Sequence, residues 1–136
     1  MKSKTRTSAK FTPLELVIVL VFIALVATFF LIQKSDLDAF SRDNTRKTAI
    51  NAFYYALTED YYPSHNYYPE TITKDILPTV SPDLWTDPSG LELGTPGCSY
   101  IYIPAGCTDG RCTEFILKAT LEKEPAYVKP STNNDL

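Results

Sequence analysis

Residues 11–32 read Phe-Thr-Pro-Leu-Glu-Leu-Val-Ile-Val-Leu-Val-Phe-Ile-Ala-Leu-Val-Ala-Thr-Phe-Phe-Leu-Ile, an apolar run that holds one charged side chain, Glu15. From Leu16 to Ile32 there are 17 residues without a charge, about 26 Å of helix, close to the hydrocarbon thickness of a bilayer. A cleaved secretory signal has a shorter apolar core and an Ala-x-Ala-like site behind it. Here Gln33-Lys34-Ser35-Asp36 follows, so the helix is expected to be retained. Residues 1–10 carry Lys2, Lys4, Arg6 and Lys10 and no acid, which by the positive-inside rule places the N-terminus in the cytoplasm and residues from 34 onward outside.

Local chemistry explains why a helix starts at this point. Thr12 suits the N-cap, Pro13 the first helical position, and Glu15 the third, which completes a Thr-x-x-Glu capping box; Phe11 and Leu16 are spaced as a hydrophobic staple. A carboxylate near a helix N-terminus is also favoured by the macrodipole. This cap alone accounts for Glu15 about as well as any functional role.

The helical pattern continues beyond the span and becomes amphipathic, with Leu37, Phe40, Ile50, Phe53, Tyr54 and Leu57 at roughly helical spacing and a polar stretch over 41–48. No Gly or Pro falls between Leu14 and Leu57, so one helix is expected from Pro13 to about Thr58, roughly 69 Å long. A domain this small cannot bury that length. The first half must meet lipid or other copies, while the lower half packs on the chain's own C-terminal part.

Residues 59–97 are rich in Pro, Tyr, Ser and Asp and read as a turn-rich connection with a short helix across Thr73 to Leu77. Strands are predicted at Cys98 to Ile103, Thr113 to Leu121 and Ala126 to Lys129, the first two joined by a hairpin containing Gly and Cys. The expected organisation is thus a basic leader (1–10), a transmembrane helix (11–33), its amphipathic continuation (34–58), an extracytoplasmic loop and antiparallel sheet (59–129) and a disordered tail (130–136). The class is α+β. The chain holds 13 basic and 16 acidic residues; four of the basic ones lie in residues 1–10, so from Phe11 on nine face 16, a net charge of −7. That disfavours nonspecific binding to nucleic acid.

Little points to catalysis. His65 stands alone between Ser64 and Asn66 with no metal-ligand spacing around it, and no Ser-His-Asp set, phosphate loop or paired catalytic carboxylates can be assembled. An enzyme is not expected, nor a cofactor or metal. The six tyrosines between 54 and 68 could face a sugar, but rings bordering a helix and a loop more often pack. Cys107 and Cys112 enclose four residues in a domain expected outside the cytoplasm, where a disulfide would pin the hairpin. Cys98 is then left over, as a buried thiol or a competitor for one of the other two.

Lys10-Phe11-Thr12-Pro13-Leu14-Glu15-Leu16-Val17 resembles the prepilin peptidase site of type IV pilins and type II secretion pseudopilins, whose short basic leader is cut before a Phe-Thr-Leu-x-Glu-like start. The resemblance implies cleavage between Lys10 and Phe11, N-methylation of the new Phe terminus, and a role for Glu15 in attracting the terminal amine of a neighbouring subunit during assembly. A carboxylate at membrane depth is costly unless paired, which gives that attraction its physical basis. One position departs from the pattern: the family carries Gly, sometimes Ala, before the cut, and this chain has Lys10.

The later segments Tyr61-Tyr62, Asn66-Tyr67-Tyr68-Pro69, Asp87-Pro88-Ser89-Gly90, Tyr100-Ile101-Tyr102 and Phe115 to Glu122 are similar to those that follow the helix in major pseudopilins. The resemblance covers the chain to about Lys123 and implies the pilin fold, a long helix laid across a small antiparallel sheet. Asp83, Asp87 and Glu92 flank a turn in a region where some pseudopilins bind calcium, but turn acids more often cap local N–H groups. The implied partners are further copies or other pilin subunits, prepilin peptidase, the pilus assembly machinery and the membrane. Alternatives are an uncut, permanently anchored domain, or a minor subunit with an adhesion or DNA-uptake role served by a patch such as Arg42, Arg46 and Lys47.

Overall fold

The computed structural model describes residues 12–131, so the Lys10–Phe11 junction, the Phe11 end of the staple and residues 132–136 lie outside the described residues. Helix α1 runs unbroken over Pro13–Tyr55, as the absence of interior Gly and Pro predicts. It does not stop near Thr58: a π-helical turn, Ala56–Tyr61, and a short α2, Tyr62–His65, extend the helical run. Pro63 supplies the physical reason, since proline inside a regular α-helix lacks an N–H and clashes with the carbonyl four residues back. The wider turn accommodates it, with the Tyr62 N–H reaching the Leu57 carbonyl. Asn66, in the left-handed region at φ 61°, ends the run, as small polar residues do at C-caps.

The chain divides into two compact units, one ending at Leu37 and one beginning at Asp38. In the first, every large apolar side chain from Leu14 to Ile32 is exposed, from 49% at Val19 to 71% at Leu14. The helix is long and apolar enough to cross a membrane. Thr28, the one polar residue between Leu16 and Ile32, turns its hydroxyl back to the Ala24 carbonyl at 2.8 Å, which removes an unpaired donor from the apolar surface.

In the second unit, strands β2 (Tyr100–Ala105), β4 (Glu114–Ala119) and β5 (Tyr127–Pro130) form an antiparallel sheet in the order β2-β4-β5. Strand β1 (Tyr68–Pro69) pairs separately with β3 (Arg111–Cys112). The predicted strands are all present within a few residues. The last one runs further than read, because Pro130 ends the β5 ladder and the Ser131 N–H bonds the Phe115 carbonyl at 2.8 Å. Thr73 to Leu77 makes a single turn rather than a helix, and a 3-10 turn, Pro82–Trp85, was not anticipated.

The inner face of the sheet packs on the lower part of α1. Phe53, Ile50 and Leu57 from the helix and Phe115 and Leu117 from β4 are fully buried. Phe53 meets Trp85 edge-on at 4.9 Å between ring centres, and Phe115 meets Tyr68 likewise at 4.6 Å, a geometry that adds ring electrostatics to the area buried. The tyrosines divide between packing and display: Tyr68 is buried, whereas Tyr55 is 51% exposed and Tyr62 40% exposed.

The bonding phase of the sheet follows from its ends. The Thr120 N–H bonds the Ser99 carbonyl, and the Ser131 N–H bonds that of Phe115. Because antiparallel pairs alternate between bonded and non-bonded, Tyr100, Tyr102 and Pro104 turn their backbone groups away from β4 on one edge, and Val128 and Pro130 do so on the other. The outward side-chain rows are Ile101-Lys118-Val128 and Ile103-Ile116-Pro130.

Candidate assembly site

At the head of α1 the reciprocal cap forms as its sequence dictates. The Glu15 carboxylate accepts the Thr12 N–H at 3.1 Å and its hydroxyl at 3.2 Å, both on Oε2, and the Glu15 N–H points at Thr12 Oγ1 at 3.4 Å. The Leu16 N–H bonds the Thr12 carbonyl at 3.2 Å. Oε1 carries no hydrogen bond among the described residues. Glu15 is exposed and stands at the start of a helix whose apolar surface is uncovered. Chemically this is a fixed carboxylate with one oxygen committed to the cap and one open to a cation. The other two residues of the sequence-read site, Lys10 and Phe11, precede the described residues.

In the outer unit the structure brings together a polar centre that pattern reading overlooked. Asp43 and Arg46 on α1 are 1% and 4% exposed. Asp43 accepts the backbone N–H groups of Glu122 (2.9 Å) and Lys123 (2.9 Å), and Arg46 bonds Asp43 and Glu122, each at 2.8 Å. Arg42 grips Glu122 with two bonds, and Lys47 pairs with Glu124 at 2.6 Å. Burial opposes the charge on Asp43, but the two backbone N–H groups and the guanidinium outweigh it and hold its carboxyl below the usual range. Hydrogen bonds from Arg42 and then Arg46 bring Glu122 down to about 2. The basic residues read as a possible DNA patch are therefore each occupied by a carboxylate.

The expected helix face is rotated accordingly. Leu37 and Phe40 are exposed, and the buried stripe is Ala39, Asp43, Arg46, Ile50, Phe53 and Leu57. Its alternating steps of four and three are those of a heptad seam. That spacing was available in the sequence, but two of its positions carry charges, so an apolar search passes over them.

Cys107 and Cys112 are joined in a disulfide and Cys98 is a free, half-buried thiol, as one of the two readings of Cys98 allowed. The bridge closes the connection between β2 and β4 around a two-residue turn in which Asp109 (φ 52°) and Gly110 (φ 75°) are both left-handed and Thr108 and Arg111 bond each other. Asp-Gly is the sequence such a turn selects. Asp87 caps its own turn, accepting the N–H groups of Ser89 and Leu91, and also holds Ser99 through its N–H and hydroxyl. Asp83 and Glu92 do not join it in a metal-ligand group, and no such group occurs among the described residues. His65 is exposed and lies flat on Tyr61, 4.0 Å between ring centres. Compared with protein-family models, with curated proteins and with solved structures, the chain gives no match in any of the three.

Proposed function

We propose that this chain is the structural subunit of a type IV pilus or of a pilus-like filament such as a secretion pseudopilus. The precursor sits in the membrane as a single span with its basic leader in the cytoplasm; prepilin peptidase cuts before Phe11, and the subunit polymerises through its N-terminal helix into a cell-surface or periplasmic filament. The observation that carries this reading is the open oxygen of Glu15 at the head of a helix whose large apolar side chains are all exposed from Leu14 to Ile32. A neighbour's terminal amine is a fitting partner for that carboxylate, since an unpaired charge at membrane depth is costly. On leaving the lipid, the apolar faces pack helix against helix, which largely offsets the loss of acyl-chain contact. The role is structural rather than catalytic, and the pilin fold is the arrangement to which the long helix and small antiparallel sheet correspond in this reading.

The test is the intact mass and N-terminal sequence of the protein recovered from its membrane or from sheared surface material. A chain beginning at Phe11, with or without an added methyl group, supports processing and assembly. A chain that retains residues 1–10 overturns them and favours a permanently anchored extracytoplasmic domain, the second reading, which Lys10 in place of the family's Gly supports. A tip subunit that takes up DNA gains no support from Arg42, Arg46 and Lys47, because all three are paired with acids.

A further inference from the structure

Two surfaces of the outer unit, on different elements, complement each other in charge and in apolar character. We propose that the outward face of the three-stranded sheet on one copy seats in the groove beside the π-helical turn of the next copy. This rests on the filament reading and names the contact made by the extracytoplasmic unit.

The outward sheet face is apolar where a domain bathed in water carries polar residues. Ile101, Ile103, Ile116 and Val128 are 39–48% exposed, and they surround Lys118, which occupies the middle strand between Ile101 and Val128. Among the described residues Lys118 has no carboxylate partner. The other described cations of the unit are engaged: Arg42, Arg46, Lys47 and Lys74 with acids and Arg111 and Lys129 over tyrosine rings, and Lys123 is not free either.

The groove consists of two adjoining hollows of about 330 and 200 Å³ that share Ala56, Asp60 and Thr79. It is lined by Ala52, Val80 and Leu84 and by the rings of Tyr55, Tyr61 and His65, and Glu59 and Asp60 stand at its rim, both exposed. Neither carboxylate is paired with a cation among the described residues. The π-helical turn forced by Pro63 is what carries the two acids there.

Charge decides between the ways two copies could use these surfaces. Sheet face on sheet face about a two-fold axis through Lys118 sets Lys118 against Lys118, a repulsive centre, and an axis nearer Ile116 offers it only the single carboxylate of Glu114, exposed on the same face. Sheet face on groove sets Lys118 against Glu59 and Asp60. That contact joins two different patches of one molecule, so it is heterologous and repeats without closing unless the rotation forms a ring. An open repeat is what a filament requires.

The experiment uses the full chain in its native membrane, with filaments recovered by shearing. Lys118→Glu should lower filament yield roughly tenfold, as like charges meeting across an interface do, and Glu59→Lys with Asp60→Lys should restore it only when combined with Lys118→Glu. In a Cys98→Ser background, Lys118→Cys with Asp60→Cys should give a ladder of cross-linked copies on oxidation. If the parent chain assembles while Lys118→Glu assembles equally well, or filaments form and the cysteine pair gives no cross-link, this contact is wrong and the filament reading stands. A parent chain found only as a membrane monomer overturns both.

Discussion

The carboxylate of Asp43, buried on α1, accepts the backbone N–H of Glu122, 79 residues later, at 2.9 Å to Oδ1 and 3.0 Å to Oδ2. This contact and the Lys123 N–H beside it fasten the loop between β4 and β5 to the helix. Replacing Asp43 with Ala leaves two backbone donors and part of the buried Arg46 guanidinium without their acceptor. Breaking one side of such a pair costs about 3 kcal/mol or more. Chemical unfolding of the full chain in detergent should show a loss of that order, and a loss under about 1 kcal/mol would mean that water replaces the carboxylate.

The same groups set a pH dependence. Glu122 moves from 4.5 to about 2 through its hydrogen bonds to Arg42 and Arg46; Asp43 and Asp87 are also lowered from 3.8, because their hydrogen bonds outweigh the opposing effect of burial. Groups lowered by folding stabilise the folded state above their unfolded values and lose that contribution as the pH falls through the folded ones. Stability should therefore hold above about pH 4.5 and decline toward pH 2, with a shallower decline in Asp43→Asn. A stability curve flat over that interval would contradict the assignment.

The Cys107–Cys112 bridge closes a short loop, for which chain entropy gives roughly 2 kcal/mol. Cys107→Ser with Cys112→Ser should lower the unfolding free energy by about that much and leave the membrane helix inserted. Peptide mapping without reduction should recover the two cysteines in one linked fragment and Cys98 as a thiol.

Glu15→Gln keeps an acceptor for the Thr12 N–H and removes the charge. We expect the monomer to insert and fold as before, with helix content unchanged by circular dichroism in detergent, while sheared filament yield collapses. Normal filaments from that variant would leave Glu15 with its capping role alone.

The head of the molecule was the most legible part because it obeys local rules: Thr12, Pro13 and Glu15 supply an N-cap, a first-turn proline and a capping-box acid within four residues, and no Gly or Pro as far as Leu57 interrupts the helix. The sheet was readable from its alternation, with ends misplaced by a residue or two. Asp43 and Arg46 were not readable, since their burial depends on a loop at Glu122 and Lys123 whose position no local pattern encodes. Pro63 misled in the opposite direction. It lies in the stretch from 59 on whose composition reads as a turn-rich connection, yet the chain widened one turn and continued to His65. The candidate assembly residue was visible at once, whereas the aliphatic ring around Lys118 emerged only when three strands fell into register.

Pro104 and Pro130 occupy outward-bonding positions on the two edges of the sheet, and the Tyr100 N–H is taken by Cys98 Sγ at 3.4 Å, which leaves Tyr102 and Val128 as the residues there whose N–H groups face out. A strand from another molecule arriving at either edge finds too few donors to extend the ladder, and proline on an edge is a known brake on such pairing. For a chain read as one built to polymerise, this has a particular value. Growth by stacking of strands, the route that leads to amyloid, is disfavoured on both sides, which in that reading leaves helix packing and side-chain docking as the routes to self-association.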